Sequence, residues 1–221
     1  MDAAVLRRLS EYNEQLTLDL QQQQSSPSST IQKKDMYITN IVSLAHLGYP
    51  LILEDIAAGV YGKYSNRVFP AVTSRNQETK TTFEYFEAGS MINTGAHSEF
   101  HCLYAWQLAA WRLSEILNKH VLITDIEITN VVTACSLGYR LDMDKVDRKY
   151  MNINGGRRDS GFPGMKLGQQ DLKVTYIVFA NGNVNCTGIK PPLSIDVVYK
   201  RAQDLLKCCK AEEDNADEEM V

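Results

Sequence analysis

Hydrophobic and polar positions fall into the same succession of elements twice along the chain. The β-rich run Ile38–Ala45 predicts a short strand. Leu53, Ile56, Ala57 and Val60 recur at helical spacing and predict a helix over Leu51–Tyr61. Phe69–Arg75, Thr81–Glu87 and Met91–Thr94 read as strands, with Ala88-Gly89 marking a hairpin turn. Ser98 is placed to cap a long helix reaching about Lys119. The second half runs through Ile128–Cys135, Asp142–Tyr150, Met165–Gly168, Lys173–Ala180 and Val184–Thr187, and ends on a helix near Ser194–Cys209. Each unit is strand, helix, several antiparallel strands, then a long helix. That is an α+β pattern. An antiparallel sheet with helices on one face leaves its other face open.

The two runs match residue by residue. Ile38-Thr39-Asn40-Ile41-Val42 returns as Ile128-Thr129-Asn130-Val131-Val132, and Leu47-Gly48-Tyr49 as Leu137-Gly138-Tyr139, each 90 residues later. Phe69-Pro70 returns as Phe162-Pro163, Phe86-x-x-Gly89 as Phe179-x-x-Gly182, and Thr94-Gly95 as Thr187-Gly188, each 93 later. A three-residue slip near Asn154-Gly155-Gly156 accounts for the change of offset. A period this long is not a solenoid's; it describes two homologous half-domains.

Composition adds the flanks. The chain has 221 residues, 44% of them hydrophobic, which is ample for a core. Its net charge of −4 argues against a polyanion ligand until its distribution is read. Glu212, Glu213, Asp214, Asp217, Glu218 and Glu219 crowd the end, while residues 36–210 carry 19 basic and 16 acidic side chains. The body is weakly basic, and the tail is expected to stay solvated. The organisation reads as a Gln/Ser-rich leader over 1–35, one repeat over 36–125, a second over 126–210 and an acidic tail over 211–221. Within the leader, residues 21–30 are low-complexity and expected to be disordered. Val5, Leu6, Leu9, Leu16 and Leu20 can line one helical face, either as a transient helix or as a segment that folds on a partner. Five cysteines without a C-x-x-C pair point to a reducing compartment rather than a disulfide framework or metal site. The opening MDAAVLRRLSEYN has no apolar h-region, so no signal peptide is expected. No apolar run is long enough to span a membrane.

The open face carries the candidate chemistry. Strand side chains alternate, so residues two apart share a face. Asn40 goes with Val42, Asn130 with Val132, Ile92 with Thr94 and Asn185 with Thr187. On the helix-free face these give paired asparagines, threonines and phenylalanines in a pseudo-twofold array. The A·T minor groove presents only acceptors, to which an amide or hydroxyl can donate. Small apolar neighbours fit tightly there and would clash with the guanine N2 amine. Phenylalanines at the ends can wedge between base steps. A strand phenylalanine is ordinarily core, but four recurring in register with a duplication argue otherwise.

Over about Met36–Lys210 the chain resembles the TATA-box-binding protein (TBP) family. The carrying motifs are Asn40-Ile41-Val42, Asn130-Val131-Val132, Phe69-Pro70-Ala71-Val72, Thr81-Thr82, Phe86-Glu87-Ala88-Gly89, Thr94-Gly95-Ala96 with Ser98-Glu99, Phe162-Pro163-Gly164, Ile177-Val178-Phe179-Ala180-Asn181-Gly182 and Thr187-Gly188. The resemblance implies two pseudo-symmetric halves forming a saddle-shaped curved antiparallel sheet with helices on the convex face. It implies that Phe69 with Phe86, and Phe162 with Phe179, are wedge pairs. Asn40, Asn130, Thr94 and Thr187 would be central minor-groove donors, Val42, Val132, Ile92 and Ile177 apolar groove contacts, and Arg75 a phosphate contact. The family is itself a standing example of minor-groove kinking. The implied partners are double-stranded A·T-rich DNA, transcription factor IIB-like and IIA-like proteins and the RNA polymerase machinery, in the nucleus, with no cofactor.

Departures from the family pattern bear on function. Glu84 shares parity with Phe86 where an apolar groove contact is usual, and Asn185 replaces a small apolar residue. Ser90 and Asn183 stand where lysines are usual, and Gly168 where an arginine would match Arg75. Lys80, Lys166, Lys173 and Lys190 remain, so binding to DNA should be weaker than that of a strongly basic relative. Arg157 and Arg158 occupy a loop that is usually acidic and receives transcription factor IIB. Trp106, Trp111 and Tyr104 give the long helix an aromatic surplus that points to a protein interface. The resemblance therefore implies a general initiation factor that binds and bends TATA-like DNA and nucleates preinitiation complex assembly. The alternative is a TBP-related scaffold that recruits transcription factors with weak or no DNA binding. No nucleophile–base–orienter set or phosphate loop supports an enzyme.

Overall fold

The computed structural model of the chain describes residues 36–65, 69–151 and 156–212. The leader, its candidate helix and the acidic tail beyond Glu212 lie outside the described residues. In chain order the first half comprises β1 (Tyr37–His46), α1 (Leu53–Val60), β2 (Lys63–Ser65), β3 (Phe69–Arg75), β4 (Thr82–Phe86), β5 (Ser90–Ala96) and α2 (Glu99–Ile116). The second comprises β6 (Glu127–Ser136), α3 (Met143–Tyr150), β7 (Arg157–Arg158), β8 (Met165–Gln169), β9 (Val174–Val178), β10 (Asn183–Ile189) and α4 (Ile195–Leu206). A 3-10 turn, Lys207–Cys209, closes the second half.

All ten strands join one antiparallel sheet in the order β2-β3-β4-β5-β1-β6-β10-β9-β8-β7. The order reads the same from either end once the halves are exchanged. The halves meet where β1 pairs with β6: Asn40 lies opposite Val132, Ile41 opposite Val131, and Val42 opposite Asn130. Both threonines of the repeated Ile-Thr-Asn motif close this seam. Thr39 Oγ1 donates to the Val132 carbonyl and Thr129 Oγ1 to the Val42 carbonyl, each at 3.2 Å.

In the central strands one parity is buried under the four helices. Ile41, Ser43 and Ala45 of β1, Phe83 and Tyr85 of β4, and Tyr176 and Val178 of β9 all point this way. The two halves fill the space between sheet and helix differently. In the first, the Trp106 ring packs edge-on against Phe83 at 5.1 Å and its Nε1 donates to Ser43 Oγ at 2.8 Å. In the second, the Tyr176 hydroxyl donates to the Val198 carbonyl of α4 at 2.8 Å. Each bond pairs a buried polar group between sheet and helix.

Several boundaries follow side-chain capping. Ser98 accepts from the His101 amide, Asp142 from the Asp144 and Lys145 amides, and Ser194 from the Asp196 amide. The first helix is shorter than its periodicity predicts. It starts at Leu53 without a capping side chain and ends at Tyr61 in the left-handed region. Helix α2 ends at Ile116 rather than near Lys119. Strands β2 and β7 were not legible in the sequence; three and two residues are too few to show alternation. The aromatic surplus of α2 divides. Trp106 is core and the Tyr104 hydroxyl bonds to Glu78, while Trp111 and Leu103 remain 63% and 55% exposed.

The duplicated glycines at the hairpins show why those positions repeat. Gly89 and Gly182 adopt φ of 81° and 82°. A Cβ there would lie 2.0 Å from the Tyr49 carbonyl oxygen and 1.9 Å from that of Tyr139. The close approach lets the carbonyls of Gly89 and Gly182 accept from the Leu47 and Leu137 amides, tying each hairpin to the chain leaving its central strand. Gly89→Ala and Gly182→Ala are each expected to lower stability by about 2 kcal/mol or more, since left-handed backbone alone costs of order 1–3 kcal/mol for a side-chain-bearing residue. Thermal unfolding followed by circular dichroism checks this; an unchanged Tm would show that the turn relaxes freely.

Candidate nucleic-acid interface

The other parity of the sheet has no helix over it. The seam register places Asn40, Val42, Asn130 and Val132 at its centre, all partly exposed. Thr94 and Ile92 flank them on β5, and Thr187 on β10. Ile177 lies on β9 and Arg75 is exposed at the end of β3; Phe86 ends β4 with Phe69 beside it, and Phe179 directly follows β9 with Phe162 beside it. All thirteen positions singled out in the sequence lie on or at the rim of one surface.

The asparagines are held in a defined orientation. Asn40 Oδ1 accepts from the Gly95 amide at 2.7 Å, and Asn130 Oδ1 from the Gly188 amide at 2.8 Å. A backbone N–H can only donate, so the amide oxygen must face the glycine and Nδ2 must lie on the other side. This explains the repeated Thr-Gly: the glycine amide orients asparagine, while the threonine hydroxyl lies beside it. Thr94 Oγ1 is 3.3 Å from Asn40 Oδ1, and Asn130 Nδ2 is 3.4 Å from Thr187 Oγ1.

The phenylalanines form two matching edge-to-face pairs. Phe69 and Phe86 ring centroids are 6.0 Å apart with planes at 75°; Phe162 and Phe179 are 5.9 Å apart at 64°. Phe69 is 43% and Phe162 39% exposed, unusual for rings in a sheet whose other face is a full core. The two supports differ. Ala71 lies opposite Phe86, whereas Gly164 precedes β8 where a Cβ would come within 2.9 Å of both Phe162 and Phe179.

Further residues on this face were not singled out. Thr82 pairs with Thr94 across β4–β5, and Thr175 with Thr187 across β9–β10. They are 93 residues apart, so the duplication itself carried the signal. A neighbouring row runs Thr73–Glu84–Ile92–Leu44 in the first half. Its counterpart in the second half is Lys166–Ile177–Asn185–Ala134. Glu84 thus stands where the second half has Ile177, and Asn185 where the first has Ile92.

Charge at the rim is modest and partly committed. Lys80 and Lys173, again 93 apart, are exposed at the hairpins leading into β4 and β9. Arg158 pairs with Asp147 at 2.9 Å and Arg157 with Asp159 at 2.9 Å. Asp159 also takes the Lys166 ammonium, which together with Arg157 holds its carboxyl below the usual range. Among the described residues no ion pair joins Arg75 to Glu84. Burial pushes the Cys135 and Cys186 thiols up to about 11 and about 12, beneath the sheet rather than on the open face. No group of three His, Cys, Asp or Glu among the described residues is arranged to hold a metal. The surface offers hydrogen-bond donors, apolar side chains and two exposed aromatic pairs.

Known proteins are similar to this chain in sequence and fold. The family model described as "Transcription factor TFIID (or TATA-binding protein, TBP)" matches twice, over residues 35–119 and 125–209. A TATA-box-binding protein of Dictyostelium discoideum is 28% identical over 78% of this chain and 84% of its own length. One from Caenorhabditis elegans is 28% identical over 83% of this chain and 54% of its own. TATA-box-binding protein E of Halobacterium salinarum is 26% identical over 78% of this chain and 96% of its own. The Methanococcus jannaschii TBP structure superposes with a TM-score of 0.67, covering 78% of this chain and 98% of that one, at 24% identity. With both halves matched by the family model and the fold by a solved member, the chain belongs to the TATA-binding protein family, whose members are non-enzymatic transcription factors.

Proposed function

We propose that this chain is a general transcription initiation factor that binds A·T-rich promoter DNA through the minor groove, bends it and seeds preinitiation complex assembly in the nucleus. The observation that carries the reading is the pair of asparagines whose oxygens are occupied by Gly95 and Gly188 amides. Each is left presenting a donor on a face that is flanked by apolar groups. The A·T minor groove is lined with acceptors alone, so the surface and that groove are complementary. Asn40, Asn130 and Thr187 act as central donors, joined by Thr94 when its hydroxyl turns from Asn40 Oδ1 to the groove, with Val42, Val132, Ile92 and Ile177 as groove contacts. Phe69 with Phe86 and Phe162 with Phe179 wedge the terminal steps, and Arg75 meets phosphate. Unstacking a step costs roughly a few kcal/mol, which added contact along the bent duplex offsets.

A transcription factor IIB-like protein, a IIA-like protein and the polymerase machinery are the proposed protein partners. Both arginines of the 156–161 loop already serve internal carboxylates, so a IIB-like partner there meets a neutralised network rather than two free cations. The exposed Trp111 and Leu103 of α2 favour a second reading, a scaffold that recruits factors with little DNA binding of its own. The two readings separate on the wedges.

Phe162→Ala combined with Phe179→Ala is expected to abolish bending of an A·T-rich duplex, read by energy transfer between its ends, with the circular dichroism spectrum retained. Bending that survives the double substitution would remove the wedge role. Glu84 presents a carboxylate to a groove lined with acceptors and flanked by phosphate, so it opposes binding. Glu84→Leu is expected to tighten binding to a continuous A·T duplex roughly tenfold, about 1.4 kcal/mol. Because Arg75 is not paired with Glu84, the salt dependence of binding should keep its slope. Titrations at several salt concentrations test both statements; a steeper slope would mean that a cation had been released.

A further inference from the structure

We propose that Glu84 and Asn185 each recognise the N2 amino group of a guanine, so that the preferred site carries one G·C pair in each half instead of a continuous A·T run. The inference rests on the minor-groove reading above and specifies the sequence that the groove must present.

The minor groove offers one hydrogen-bond donor, guanine N2; every other group on its floor is an acceptor. A carboxylate on a groove-reading face therefore has one favourable base partner. Glu84 lies on that face between Thr73 and Ile92, with Thr82 and Phe86 two residues away on the same strand. No hydrogen bond or ion pair occupies its side chain among the described residues. Asn185 lies between Ile177 and Ala134 on the same face and is likewise unpartnered among the described residues. Unlike Asn40 and Asn130, it has no backbone amide fixing its oxygen, so its amide can turn Oδ1 toward a guanine amine.

The pseudo-twofold makes the pattern informative. Glu84 and Ile177 are structural counterparts, as are Ile92 and Asn185. Each half thus keeps one bulky apolar contact that excludes the guanine amine and replaces the other with an acceptor. The replaced position differs between halves. Glu84 is on β4, two strands out from the central β1; Asn185 is on β10, one strand out from the central β6. At about 4.8 Å per strand, the two readers differ in distance from the dyad by about 5 Å, more than one base-pair rise of about 3.4 Å. The preferred site is therefore not palindromic. Its guanines lie at unequal distances from the centre, and they fix which way round the protein sits on DNA.

Inosine provides the test, because an I·C pair is a G·C pair without the N2 amine. The full chain is titrated by fluorescence anisotropy against A·T-rich duplexes in which each position of the footprint in turn is G·C or I·C. The expected result is one position in each half where G·C binds roughly tenfold tighter than I·C. Glu84→Leu should erase the preference in one half only and Asn185→Ile in the other. Glu84→Gln, which keeps an acceptor, should retain part of it. Circular dichroism establishes that each variant is folded. If the intact chain binds and bends A·T duplexes but favours I·C over G·C, or treats them alike, at every position, the guanine proposal is overturned and the minor-groove reading stands. If it binds no duplex at low salt, both fall together.

Discussion

The pairing of β1 with β6 is the constraint on which everything else in this molecule depends. Two halves that could each form a short sheet with two exposed edges instead share a central pair of strands. Thr39 and Thr129 add reciprocal side-chain bonds across that join, and each reaches the carbonyl of a valine on the opposite strand. A slip of one residue by either strand would turn that strand's own pair, Asn40 and Val42 or Asn130 and Val132, under the helices and bring Ile41 or Val131 to the surface. Register at the seam thus decides the chemistry of the open face before any other strand is placed.

From the seam outward, burial on one side dictates availability on the other. The helices take one parity of each central strand, with Trp106 filling the first half and Tyr176 spanning to α4 in the second. The remaining parity is left to satisfy its groups locally or with a ligand. Thr-Gly shows the economy of the arrangement: one residue contributes to the open face while the next orients an asparagine from beneath. At the centre of the open face the asparagine oxygens are already used, so what those two side chains have left to offer is their donors.

Much of this was legible in the sequence because the chain states it twice. The strands around Asn40 and Asn130, the hairpins at Gly89 and Gly182 and the caps at Ser98 and Ser194 all recur, and recurrence turned weak local signals into a fold. Recurrence in register with the duplication argued Phe69, Phe86, Phe162 and Phe179 out of the core, and the structure leaves each at least partly exposed. The rest depended on pairing, which one strand alone does not encode. Thr82 and Thr175 join the open face through their cross-strand neighbours. Strands β2 and β7 exist only because β3 and β8 offer them an edge. Trp106 and Trp111 look alike five residues apart on one helix, yet one is core and the other is solvated, because only the first faces Ser43 and Phe83. The pairing of Arg158 with Asp147 required the fold to bring α3 beside its loop, while Arg157 pairs locally with Asp159.

The backbone beside the two aromatic pairs differs, and with it the room that each pair leaves for a side chain. Ala71 stands opposite Phe86, whereas its counterpart Gly164 leaves bare main chain where a Cβ would come within 2.9 Å of both Phe162 and Phe179. The first half already accommodates a methyl group, while any side chain at Gly164 must displace two rings at once. One end of the sheet therefore carries a side chain beside its rings, and at the other the ring positions themselves depend on there being none.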